Sequence, residues 1–422
     1  MNSSVIFQQI KSIFKRNETK HFISYYIFTI LSALVSIYTI SYLTKALDPE
    51  SYGMIGIFLG IVFFVPALLS FSANNLQAIN VVDFKEDEYK TFRNEFISFI
   101  ICLLGLYLII GAGVYLLLPD YGFVIITSLV YGWLQLMSSI HSTELIQHSR
   151  PVQFGIVNFL SIFLAFLISL LFIAVFKLDW KGRIIAMILS ESIIVILRFW
   201  VFSNIGREFK FLFNPGTVKG FILYGWPLMM SVVAGWIINQ SDRFILLQFY
   251  SLKEVGIYAA ASGISSVITT FNQTMLKVVS PLVYRNLSKR TGRSFIIKLN
   301  MLYAIVILSL STIGSVFIKY AWPYILGASY EPSLPIIYLL CFAQSFFGIY
   351  MTLGIVVDYF KQNKLKTMII WICAVVSIIT TLLLIPVLGM YAPAVGTLLS
   401  FFTLSVITYF NGIRILNENN VT

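Results

Sequence analysis

"TKALDPESYGMIGIF" at residues 44–58 and "LLQFYSLKEVGIYAA" at residues 246–260 follow one pattern. Each reads as an apolar helix end, a short polar turn holding a glutamate, a glycine, and then a new apolar helix. At an offset of 203 residues Gly53 falls on Gly256, although the second window as quoted runs one residue out of that register. The same turn thus opens two halves of the chain, each about 200 residues long.

Outward from these turns the chain is apolar almost everywhere. Of its 422 residues 58% are hydrophobic and 11% are charged, whereas soluble domains carry about 25% charged residues. Lipid is the solvent this composition suits. Cys102, Cys341 and Cys373 each lie in an apolar run and read as small core residues, not as a disulfide or metal set. His21, His141 and His148 have no metal-ligand spacing, and no phosphate-binding glycine loop is present. Neither a metal nor a cofactor is expected.

A membrane helix needs about 20 apolar residues. Twelve stretches qualify: 22–44, 52–73, 96–118, 122–142, 153–176, 184–204, 220–241, 255–276, 297–318, 334–357, 367–387 and 390–411. Polar residues crowd the ends of 52–73 and 220–241. An even number puts both termini on one side. With the N-terminus inside, the cytoplasmic segments hold 22 of the 29 lysines and arginines and the outer segments hold 7. This positive-inside bias accounts for the net charge of +11 without nucleic acid. The densest basic cluster, "YRNLSKRTGRSFIIK", falls on an inner loop, where it anchors topology and could touch anionic headgroups.

The expected organisation is an all-α polytopic membrane protein with twelve helices in two six-helix lobes. An N-lobe covers 21–205, a cytoplasmic linker 206–218, a C-lobe 219–412 and a cytoplasmic tail 413–422. Residues 1–20 read either as a short amphipathic helix on the inner membrane surface or as a frayed basic tail. Two six-helix repeats in parallel orientation suit a transporter, with a cavity where the repeats meet. No large outer loop and no carboxylate pair near a membrane surface is present. This argues against a membrane glycosyltransferase, polymerase or ligase, and no enzymatic activity is expected.

The first hairpin, "YLTKALDPESYGMIGIF", resembles that of the O-antigen (Wzx-type) polysaccharide repeat-unit flippases. These belong to the multidrug/oligosaccharidyl-lipid/polysaccharide superfamily. The stretch "YGWPLMMSVVAGWIINQSDRFILLQFYSLKEVGIYAAA" resembles the seventh-helix region of the same family. Gly225, Pro227, Asp242, Arg243, Val255, Gly256 and Tyr258 stand at its motif places. The other spans resemble the family only in number, length and composition. The resemblance implies a MATE-like, two-lobed fold in the bacterial cytoplasmic (inner) membrane. It also implies a substrate: an undecaprenyl-diphosphate-linked oligosaccharide, carried from the inner to the outer leaflet. Membrane lipids, a glycan polymerase and chain-length machinery are the implied partners. A multidrug or cation antiporter of the same superfamily is the alternative, and it predicts a lumen rich in carboxylates. A lipid II flippase would also fit the chemistry, but that family typically has two further helices.

Charges inside spans are functional candidates by default. Adjacent helix positions point about 100° apart, so Asp242 and Arg243 cannot neutralise each other on one face. Ser231, Gly235, Asn239 and Asp242 share a face. The pair reads either as lining a lumen or as snorkelling at the outer rim. Ala259, Gly263, Ser266, Thr270, Gln273 and Lys277 form a second stripe, which suits close helix packing or a wet wall with Lys277 at the cytoplasmic mouth. Lys45 stands at the outer mouth, where snorkelling is the simpler reading. Glu191, near the middle of its span, could relay a coupling ion or be buried in packing.

Overall fold

The computed structural model describes residues 18–117, 119–148, 150–288 and 293–419. The expected amphipathic segment at 1–20 lies almost wholly outside the described residues, as do the centre of the basic loop at 289–292 and the end of the tail at 420–422. Among the described residues the structure is helical and contains no strand.

Fifteen α-helices are described: α1 Glu18–Ala46, α2 Pro49–Val62, α3 Val65–Ser70, α4 Asn74–Asp83, α5 Glu86–Leu117, α6 Pro119–Gln147, α7 Pro151–Leu170, α8 Trp180–Ile196, α9 Ile205–Glu208, α10 Pro215–Phe249, α11 Leu252–Ser288, α12 Arg293–Ile325, α13 Leu334–Tyr359, α14 Asn363–Leu388 and α15 Ala392–Glu418. Short π-helical turns at Leu171–Val175 and Leu197–Val201 extend α7 and α8. Proline starts several of these helices, where its missing N–H leaves no bond unmade and its φ is already helical.

Ten stretches of the described residues are long and apolar enough to cross a membrane. One of them, 364–418, contains both α14 and α15, which part at Gly389 with a φ of 58°. The expected continuous span 52–73 is two helices, α2 and α3. Pro66 accounts for the break, because its ring crowds the carbonyl four residues back and its nitrogen cannot donate. Phe71 and Ser72 then take left-handed φ values of 49° and 59°. The span expected at 220–241 is longer than the sequence suggested. α10 runs 35 residues to Phe249, about 52 Å.

α11 is not among the ten. Hydroxyls along it lower its hydropathy, yet most bond back to its own carbonyls. Ser262 donates to Ala259 at 2.9 Å, Ser266 to Gly263 at 2.6 Å, Thr270 to Ser266 at 3.1 Å and Thr274 to Thr270 at 2.8 Å. Such back-bonding satisfies the hydroxyl without water.

Packing divides the chain into two compact units. The first comprises residues up to Ser36 and Val65–Trp226; the second comprises Ile37–Phe64 and Pro227 onward. In the first unit α5 lies along α6, α7 along α8, and α6 also meets α8. Phe92, Phe96 and Phe99 surround the buried Phe221 ring at centroid distances of 5.6, 5.4 and 5.5 Å. In the second unit α13 is central and touches α11, α12 and α15, while α14 packs on α15 and α2 on α11. Buried amides join these helices: Asn272 donates to the Gln344 carbonyl at 2.7 Å and accepts from Tyr303 at 2.5 Å.

The crossing of α2 and α11 brings the two sequence-matched glycines together. A Cβ on Gly53 would overlap the Leu252 carbonyl, and one on Gly256 the Pro49 carbonyl. Pro49 and Leu252 stand at the same 203-residue offset as the glycines. The contact is therefore reciprocal, with equivalent backbone positions facing each other across a local two-fold relation. Only glycine permits that approach on both helices. The turns before them divide one capping box between them. Asp48 accepts the Ser51 N–H at 2.7 Å, and Glu254 accepts the Ser251 N–H at 3.1 Å.

Candidate functional site

Asp242 and Arg243 sit in the interior of α10 and are 2% and 7% exposed. Among the described residues they form no ion pair with each other. Each has its own partners, as the 100° between adjacent side chains requires. Arg243 donates through Nη2 to Ser262 at 2.7 Å, and through Nη1 to the Gln240 side chain at 2.5 Å and the Asn239 carbonyl at 3.3 Å. Its Cδ lies over Gly56 and Gly60 of α2, where a Cβ on either glycine would come within 3.8 Å of it. Trp236 closes the same contact by donating to the Gly60 carbonyl at 2.7 Å.

Asp242 Oδ2 accepts from the Tyr258 hydroxyl of α11 and, at 3.0 Å, from Thr397 of α15. Its Oδ1 is buried and has no hydrogen-bond partner among the described residues; nor does Arg243 Nε. The motif thus assembles three helices of the second unit, α10, α11 and α15, around a carboxylate held only by hydroxyls. A buried charge without a counter-ion is costly unless hydrogen bonds replace its hydration.

The 203-residue offset explains how Arg243 reaches its seat. Gly60 corresponds to Gly263, and Ile40 to Arg243. Gly60 meets the Arg243 stem, and Gly263 meets Ile40 Cδ1. Equivalent positions thus stand against the matched glycines, an isoleucine from the first repeat and an arginine, beside the closer Phe244 ring, from the second.

Glu191 lies in the first unit, on α8, and is 6% exposed. Its Oε1 accepts from Ser138 of α6, and its Oε2 from Ser161 of α7 at 2.6 Å. Arg198, seven residues further along the chain, donates to Ser142 at 2.9 Å and Asn158 at 2.7 Å. Glu191 forms no ion pair among the described residues, and again hydroxyls alone hold a buried carboxylate.

The remaining predicted residues are spread out. Asn239 is half-buried and donates to the Gly235 carbonyl of its own helix at 2.8 Å. On α11 the small-polar stripe changes character along its length. Ala259 packs beside Gly56, whereas Gln273 and Lys277 are exposed. Lys45 is exposed and donates to the Tyr324 carbonyl at 2.6 Å. Ser262 and Thr397 carry no signal in the sequence; only their contacts with Arg243 and Asp242 single them out. Tyr258 stood in the quoted motif, but nothing local tied it to Asp242.

The comparisons agree with this architecture. A solved structure described as lipid II flippase MurJ in an inward closed conformation superposes with a TM-score of 0.75 at 14% identity, covering 94% of this chain and 90% of that one. An inward-facing multidrug resistance MATE family transporter of the MOP superfamily gives 0.67 at 13% identity, covering 94% and 99%. Both structures are named for transport, not for catalysis, and at these identities they establish the fold. Lsg locus putative protein 1 of Haemophilus influenzae is 20% identical over 112 residues. That match spans 26% of this chain and only 28% of the relative. The sequence profile described as polysaccharide biosynthesis protein matches residues 19–287. That covers more than half of the chain, from α1 through nearly all of α11, and the protein belongs to the polysaccharide biosynthesis protein family.

Proposed function

We propose that the protein is a flippase for undecaprenyl-diphosphate-linked oligosaccharide repeat units of O-antigen or a related surface polysaccharide. It moves them from the inner to the outer leaflet of a bacterial cytoplasmic membrane by alternating access. The observation that carries this reading is the polysaccharide-biosynthesis family match in a chain built of membrane-length helices. The same reading takes the long helices as twelve crossings with both termini cytoplasmic, in two lobes at 21–205 and 219–412 joined by the 206–218 linker. Asp242, Arg243, Asn239, Gln273, Lys277 and Lys45 are assigned to the translocation path. A fixed guanidinium and two lysines suit an anionic diphosphate. Glu191 is assigned to ion coupling, because a buried carboxylate held by two serines can exchange a proton or a small cation. The glycan polymerase and chain-length machinery are the proposed partners.

Deleting the gene in its host should strand lipid-linked repeat units on the cytoplasmic leaflet. Normal surface glycan in a strain with no other flippase would overturn the reading. Arg243→Ala should reduce glycan export at normal protein level. Full export would remove Arg243 from the path.

The MATE likeness favours one second reading, a multidrug or cation antiporter. Expression in a strain stripped of efflux pumps separates the two. Raised drug resistance would support the antiporter, and unchanged resistance the flippase.

A further inference from the structure

A cavity of about 570 Å³ opens in the first unit, and none of the residues assigned above lines it. Its walls are the end of α4 with Phe84, the first turns of α5, the last turns of α6 with Arg150 beyond them, and the segment from Phe202 to Glu208 that leads into the linker. Under the orientation proposed above these elements meet on the cytoplasmic side. The volume lies within the ~300–1,000 Å³ range of small-molecule sites.

Ion pairs build its frame. Arg93 reaches Glu144 at 3.2 Å and Glu208 at 2.9 Å, and Lys90 reaches Glu86 at 2.8 Å and Glu208 at 3.5 Å. Asn94 donates to the Glu208 carbonyl at 3.3 Å, and the Leu212 N–H to Ser98 at 3.0 Å. These contacts fasten the linker along one face of α5, so the pocket wall is fixed.

Three features define what the pocket can hold. First, its fixed charges cancel: Glu86, Glu144 and Glu208 face Lys90, Arg93 and Arg150. A multiply charged anion meets three carboxylates, and a polycation meets three cations. A hydroxyl both donates and accepts, so a polyol can use both sets. Second, Phe84 and Phe202 are 41% and 36% exposed beside these polar groups. Their faces suit the C–H surface of a sugar ring. Third, His141 is 2% exposed and lines the cavity, yet its Nδ1 is without a hydrogen bond; Arg93 Nε, on another lining side chain, is also unpaired. Buried polar atoms of this kind are normally satisfied; both are closed to solvent here, and a ligand hydroxyl pairs with them when the side chains turn toward the cavity.

We infer that this pocket binds a neutral mono- or disaccharide unit and serves as a docking point for the sugar part of the substrate. The sugar chemistry rests on the pocket alone. Its side of the membrane and its role as a docking point rest on the flippase reading.

The test uses the full chain in nanodiscs, with maltose and N-acetylglucosamine as neutral probes. Glucose 1-phosphate serves as the anion and spermidine as the cation, read by saturation-transfer NMR. Saturable binding of a neutral sugar is expected. It should weaken about tenfold or more in His141→Ala and in His148→Trp, which fills the mouth from an exposed helix end. Thermal unfolding checks each variant, and if His141→Ala unfolds then His148→Trp decides. Gly314→Ala, in the other unit, where an added Cβ meets nothing within 4 Å, should bind sugar as the wild type does. Three results would overturn the proposal: no sugar signal in the wild type, an equal signal in His148→Trp, or binding of only the charged probes. Sugar binding with normal glycan export after gene deletion would sink the flippase reading and leave the pocket standing. Export that depends on the gene, with no sugar binding, would sink the pocket alone.

Discussion

At the scale of single residues, the adjacent pair on α10 is two sites, not one. Helical geometry sends Asp242 toward Tyr258 and Thr397, and Arg243 toward Ser262 and the glycines of α2. A hydrogen bond to a charged group contributes about 1.5–3 kcal/mol. Tyr258→Phe should therefore lower stability by about that much, and Thr397→Val should do likewise. Both effects depend on the carboxylate. In an Asp242→Leu background each substitution should cost less, and detergent-phase unfolding of the full double-mutant cycle measures the difference. Equal costs in both backgrounds would show that the hydroxyls do not serve Asp242. Part of this site was legible in the sequence. Adjacency alone excluded a self-contained pair, and Tyr258 lay within the motif. Thr397 was not legible, because a residue 155 positions away leaves no local trace.

Among elements, the crossing of α2 and α11 is where sequence repeat becomes contact. The first matched glycine suggested a repeat, and its turn chemistry suggested a hairpin. What the sequence withheld is that the two copies touch each other. A repeat predicts equivalent positions; it does not predict that these lie face to face. Gly53→Ala and Gly256→Ala each place a methyl into a facing carbonyl. Overpacking of this kind costs about 1–3 kcal/mol, and the helices cannot part without also moving Arg243 from Gly60. Gly105 and Gly113 provide the contrast, since a Cβ there meets nothing within 4 Å. Alanine at either should be neutral or stabilising by about 0.5–1 kcal/mol through helix propensity alone. Melting temperatures of the four variants test the point. A Gly53→Ala protein as stable as Gly105→Ala would mean that the crossing is looser than described. The break between α2 and α3 was legible in principle, since Pro66 marks it. Hydropathy concealed it, because Val62, Phe63, Phe64 and Val65 keep the run apolar across the break.

Across the whole molecule, the topology turns on α11. Among the described residues ten stretches qualify as spans by length and composition, one of them containing two helices, and α11 is not among the ten. Its hydroxyls lower its hydropathy, but those that bond back to their own helix present little unsatisfied polarity to lipid. At 37 residues it is long enough to cross. A crossing also carries the basic run after it to the same side as most other lysines and arginines, as the positive-inside bias requires. The consequence is measurable at two exposed lysines that flank the following helices. With the N-terminus inside, Lys253 lies outside whether or not α11 crosses, because seven spans precede it. Lys364 lies inside only if α11 crosses, since one missing span inverts everything that follows. Lys253→Cys should react with a membrane-impermeant thiol reagent in intact cells, and Lys364→Cys should react only after permeabilisation. Signal from Cys102, Cys341 and Cys373 is subtracted with the parent protein. Labelling of Lys364→Cys in intact cells would remove α11 from the spanning set and, with it, the twelve-helix reading and its two equal halves.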